Sequence, residues 1–180
     1  MRAGFAFLIG GLLGIAAGAG GMLIAFPFLF PLPVVSDPIP EMAGLQRAQA
    51  FKFDEAAPGR DTIHWANGTG AIYRADGTSI LRPDGIAILR PDDIAILRLD
   101  DTFAAGPGPN YWIYLNTKPV GDEDTFLADS GRMRIAPLKS FTGSQNFVLP
   151  AGLDVTQFQT VTIWCETFSA YIGSAPFSKS

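Results

Sequence analysis

The chain has 180 residues, with 13 Lys and Arg against 17 Asp and Glu, a net charge of −4, and one cysteine. A lone cysteine excludes an intrachain disulfide framework, and the absence of a basic cluster argues against nucleic acid or anionic lipid head groups as partners. The length allows one ordinary domain plus an appendage.

The appendage comes first. No charged side chain occurs from Ala3 to Val35, an apolar run longer than the roughly 20 residues that span a bilayer. The spacing predicts a membrane helix within residues 1–30, running from about Ala3 to Phe26, where Pro27, Pro31 and Pro33 are expected to stop it. Ala17-Gly18-Ala19 resembles a signal-peptide cleavage site, but another dozen or so apolar residues follow it, and a signal peptide's apolar region is about 7–15 residues. A retained anchor is the expectation. Arg2 precedes the helix while Asp37 and Glu41 follow it, which places the N-terminus in the cytoplasm of an inner or cytoplasmic membrane and the domain in the periplasm or outside.

Gly10, Gly14 and Gly18 recur every four residues. Small residues at this spacing let a second helix approach closely, so integral membrane subunits are expected partners beside the bilayer itself. The alternative is that glycine is simply common in such helices. Residues 31–50 read as a proline-rich semi-rigid spacer that ends in a short helix over Glu41–Ala50.

Residues 80–103 write an octad almost three times: ILRPDGIA, ILRPDDIA, ILRLDDTF. Pro-Asp turns separate short strands at Ile86–Arg90 and Ile94–Arg98. An even period keeps each side chain on one face from copy to copy. The insertion is either a tolerated expansion of a surface hairpin or a protruding element that docks onto a partner through Arg82, Arg90, Arg98, Asp92 and Asp93. These acids, and Asp122-Glu123-Asp124, lack the ligand spacing of a calcium loop.

The remainder of residues 51–180 is strand-like at Thr69–Arg74, Tyr111–Leu115, Arg132–Leu138, Asn146–Leu149 and Thr160–Ile172, without helical periodicity. The fold class predicted is all-β, an antiparallel sandwich or barrel.

Four ordered motifs then become recognisable. They are His64-Trp65-Ala66-Asn67-Gly68-Thr69-Gly70; Gly108-Pro109-Asn110-Tyr111-Trp112-Ile113-Tyr114-Leu115; Leu138-Lys139 with Gly143-Ser144-Gln145-Asn146-Phe147; and Val161-Thr162-Ile163-Trp164-Cys165 with Phe168. Together, over about Phe51 to Phe177, the chain resembles the DM-thirteen domain, the module labelled electron-transfer DM, in its bacterial single-helix-anchored form. The resemblance implies an all-β extracytoplasmic domain and a redox role centred on the cysteine. Asn110 stands where the family pattern has an acidic residue, and Phe147 where it has Tyr.

On its own residues, Cys165 alternates with Val161 and Ile163, so its side chain belongs to the inward face, where a thiol is usually inert. A structural thiol, a redox or metal-linked thiol and an intermolecular disulfide all remain open. His64 is the sole histidine. Paired with Cys165 it would suit copper or haem, though no cofactor is predicted outright, and one histidine leaves little for a hydrolytic triad. No catalytic residue is assigned. The function expected first is a non-enzymatic accessory subunit of a membrane complex, respiratory or photosynthetic. The alternative is a redox module in which Cys165 carries or tunes electron transfer.

Overall fold

The computed structural model describes residues 2–39, 45–54, 60–75, 80–81, 87–89 and 94–179. Its elements are α1 Arg2–Leu29, β1 Leu45–Phe53, β2 Ala66–Ala75, β3 Ile80–Leu81, β4 Ala87–Leu89, β5 Ala95–Leu99, β6 Ala104–Ala105, β7 Tyr111–Asn116, α2 Glu123–Leu127, β8 Met133–Pro137, β9 Gln145–Val148, β10 Thr160–Cys165 and β11 Ala170–Lys179. In the order β8-β7-β10-β11-β1-β2-β5-β9 the strands form one antiparallel sheet that curls into a nearly closed barrel, with β6 on β2. The all-β expectation holds, in its barrel form.

The core follows from alternation along each strand. Ile72, Leu97, Leu99, Ile113, Leu115, Val161 and Ile163 point inward and are fully buried, with Phe51, Phe53 and Phe103 filling the wider spaces. Cys165 belongs to this core. Outside the wall, Trp164 stacks on Phe126 of α2 with ring centroids 4.2 Å apart, forming a second, smaller apolar cluster with Tyr114, Val120 and Tyr171. The α2 cap is a reciprocal pair: Asp122 accepts from the Thr125 amide, while the Thr125 side chain accepts from the Asp122 amide. Asp122-Glu123-Asp124 thus begins a helix, where acid side chains complement the exposed amides.

Three sequence expectations are corrected. The helix does not stop before Pro27 but continues to Leu29, with Pro27 inside it. The proline only removes one amide from the ladder, and Phe30 still donates to the Phe26 carbonyl at 2.8 Å. The short helix expected over Glu41–Ala50 is strand β1 from Leu45 onward. Its Ala, Gln and Arg favour a helix in isolation, but the slot between β11 and β2 demands a strand, and tertiary pairing overrides propensity. Thr160–Ile172 is two strands joined by a turn at 166–169, where Ser169 adopts φ 49°.

The octads divide between two roles. The third copy supplies β5, a buried barrel strand, whereas β3 and β4 form a separate two-stranded sheet among the described residues. Residues 7–29 of α1 are long and apolar enough to cross a membrane.

Candidate functional site

Strand register brings two of the motifs together. In the ladder between β7 and β10, Tyr111 lies opposite Cys165 and Trp112 opposite Trp164. The thiol donates to the Pro109 carbonyl at 3.1 Å and is 2 % exposed. Burial pushes its pKa above the ordinary thiol value. Burial, with the neighbouring Cys165, also raises the Tyr111 phenol. At neutral pH this is a protonated thiol facing a protonated phenol.

His64 arrives by a different route. Asp61 Oδ1 accepts from the Ile63 and His64 amides, each at 2.6 Å, and its Oδ2 contacts His64 Nδ1 at 2.7 Å. These bonds, the His64 amide first, hold the Asp61 carboxyl down at about 2. A carboxylate on Nδ1 fixes the proton there and leaves Nε2 for other partners. Gly106 donates to the Trp65 carbonyl at 2.9 Å. A Cβ at Gly106 would collide with the Ile63 carbonyl, so only glycine lets these two loops touch.

The result is a crevice of about 370 Å³ at the end of the barrel nearest α1. Cys165, His64, Tyr111, Pro109 and Phe168 line it, and Ile24 and Phe28 of α1 close one wall. Thus the two sequence-predicted ligand candidates do share one site. As metal ligands they fit poorly: the thiol already donates to the Pro109 carbonyl, and no group of three His, Cys, Asp or Glu is found among the described residues. A copper centre of the imidazole–thiolate type wants two imidazoles with its thiolate.

The third motif builds something the sequence did not announce, a seat for the linker. The buried Gln145 side chain accepts from the Lys139 and Ser140 amides and donates to the Ser140 carbonyl, folding the loop between β8 and β9. Onto that loop the linker docks at Asp37. Its amide donates to the Ser144 carbonyl, its carbonyl accepts from the Ser144 hydroxyl, and its carboxylate meets Lys139 Nζ at 2.7 Å and the Asn146 amide at 2.8 Å. Arg98 is 6 % exposed and donates to the Asp37 and Pro38 carbonyls and to Asn146. It therefore grips the chain's own linker instead of the outside partner expected for it. Arg82, Arg90, Asp92 and Asp93 lie outside the described residues.

Gly10, Gly14 and Gly18 are exposed on α1, and a Cβ built at any of them meets nothing in the chain. On the substituted motif positions, Asn110 takes a left-handed turn at φ 55° and accepts from Trp112 Nε1 at 2.9 Å. Phe147 is buried in the barrel beneath Lys139.

Comparison with known proteins adds one relationship. The family model described as electron transfer DM13 matches residues 82–177, more than half of the chain. The match begins after β1 and β2, so these two barrel strands and the His64 motif lie ahead of it. No curated protein and no solved structure matches the chain.

Proposed function

The chain belongs to the electron transfer DM13 family, and from that premise we propose that it is a membrane-anchored, electron-transfer-related domain whose working site is the Cys165 crevice. One observation supports this above others: Cys165 and His64, far apart in sequence, line the same cavity together with the apolar end of α1. A protonated thiol is a poor electron carrier by itself. Its role here is to shape and tune a seat for a bound carrier, while His64 Nε2 supplies the hydrogen bond that orients it.

The test is to purify the full chain from native membranes in mild detergent and record absorption spectra before and after chemical reduction, with mass spectrometry of bound small molecules. A reversible difference spectrum is expected, lowered about tenfold in His64→Leu and in a crevice-filling Cys165→Leu that still melts cooperatively; tenfold corresponds to the loss of one good hydrogen bond. No reducible species, or an unchanged one in both variants, sinks the reading.

A second reading has its own support. The glycine face of α1 is open along its length, and a helix so exposed fits an accessory subunit packed against other membrane helices. The two readings are compatible, since an electron-transfer complex is assembled from such subunits.

A further inference from the structure

Two apolar cavities flank the base of α1. Ile24 and Phe28, one helical turn apart, wall the crevice beside Cys165. Met22, Phe26 and Phe30, on the other side of the helix, wall a second cavity of about 520 Å³. Gly108 and Pro109 belong to both linings, so the two spaces form an apolar collar around the helix where it leaves the apolar span. Cavities of this size with few polar groups are suited to small molecules.

The lining chemistry narrows the occupant. Among the described residues, neither lining contains Lys, Arg, Asp or Glu, so a phosphate or carboxylate head group would find no permanent cation. That counts against a phospholipid, a nucleotide and a propionate-bearing macrocycle. Among the described residues the polar side chains are His64, Tyr111 and Cys165 in the crevice and Asn110, whose side-chain oxygen accepts from Trp112 Nε1, in the second cavity; an alkyl chain is the complement of the rest. His64 keeps Nδ1 on Asp61, so its Nε2 accepts from a hydroxyl when neutral and donates to a carbonyl when protonated. One wall of the collar is a helix long and apolar enough to cross a membrane, so a lipid-soluble occupant is the class that could reach it from a bilayer.

We propose that the crevice and collar seat a lipid-soluble quinone, with its ring at His64 and Cys165 and its tail along α1. This rests on the electron-transfer reading and names the carrier for the same site. Only binding is proposed, with no change in the thiol.

The experiment uses the full chain in phosphatidylcholine nanodiscs made without quinone. Decylubiquinone and, under a reductant, its quinol are each titrated while tryptophan fluorescence and thermal unfolding are followed. Expected are saturable binding and a raised melting temperature, with affinity for the quinol, whose hydroxyl donates to neutral His64 Nε2, about tenfold weaker in His64→Leu, the loss of one net hydrogen bond. Dodecylphosphocholine, which has a similar tail and a charged head, is expected not to displace the quinone. Non-saturable quenching, equal displacement by dodecylphosphocholine, or unchanged quinol affinity in a well-folded His64→Leu protein each overturns the proposal. Failure here and failure of the electron-transfer reading give different results. Added quinone that binds to a chain purified without any reducible species upholds quinone binding and sinks the electron-transfer reading; a reducible species of another class, with no quinone binding, does the reverse.

Discussion

Cys165 shows how burial decides chemistry at the residue scale. Its side chain is held among Val161, Ile163 and Tyr111, and its proton is committed to the Pro109 carbonyl. Burial raises its pKa, so ionisation costs more in the folded chain than in the unfolded one. The sign follows by linkage: the stabilising contribution is complete below the ordinary thiol value and declines as pH rises past it. Alkylation of Cys165 at neutral pH is therefore expected to be at least about 100-fold slower in the folded chain than after denaturation. Melting temperature is expected to fall as pH rises through about 9, near the ordinary thiol value, and Cys165→Ser, which retains a donor for Pro109, is expected to flatten that fall. The slope at still higher pH, from the raised phenols of Tyr111 and Tyr171, remains. Rapid alkylation of the folded chain, or an identical alkaline slope in the serine variant, contradicts this account. The inward direction of Cys165 was legible from alternation within one strand. Its sharing a crevice with His64 was not, because that depends on the β7–β10 register, the Asp61 turn and the loop contact at Gly106.

Elements are joined by the linker seat, and here the sequence was least informative. The proline run suggested a spacer, and nothing local marks Asp37 as the residue on which Lys139, Ser144, Asn146 and Arg98 converge. These partners come from two strands and a loop, all distant in sequence, so their convergence is a product of topology. The same holds for β1, whose helix-favouring composition hid a central strand. By contrast, β7 and β10 were readable because their β-branched and aromatic residues agree with their tertiary role. The seat yields a prediction with a defined pH window. The Asp37 pKa is lowered, first by Lys139 and then by the Asn146 amide, so its contribution is present above the ordinary carboxylate value and is lost as pH falls below it. Asp37→Ala is expected to cost about 1 kcal/mol at pH 7, a charged hydrogen bond discounted for partial exposure, and to speed amide exchange at Asp37 and Asn146. As pH falls below the ordinary carboxylate range, the gap between the variant and the parent should narrow. Gly143 sits at φ 88°, where a Cβ would collide with the Val35 carbonyl, so Gly143→Ala should loosen the same amides at a cost of roughly 1–3 kcal/mol. Slow exchange at Asp37 in both variants would show that the linker is held by other means.

For the whole molecule, the linker seat fixes how the barrel sits on its helix. Because Asp37 is locked to the barrel and α1 ends at Leu29, only a short tether lies between them, and the Cys165 crevice stays at the end of the helix. A rigid connection of this kind makes the glycine face of α1 point in a defined direction relative to the barrel. Any helix that packs on Gly10, Gly14 and Gly18 therefore also meets a defined side of the barrel, as a subunit interface would require. Gly14→Leu discriminates between a packing face and a merely glycine-rich anchor. A Cβ at Gly14 meets nothing from the rest of the chain, so barrel melting and quinone binding are expected to be unchanged. Against a neighbouring helix, the extra bulk costs roughly 1–3 kcal/mol, enough to reduce co-purification of a membrane partner about tenfold or more. The measurement is quantitative mass spectrometry of chains recovered with the tagged protein from native membranes, with Leu13→Ala, a neighbouring change off the Gly10–Gly14–Gly18 line, as the control. Equal recovery of the same partners with Gly14→Leu and with the parent would leave α1 as an anchor alone and withdraw the accessory-subunit reading, while the crevice reading, which needs only the base of the helix, would stand on its own tests.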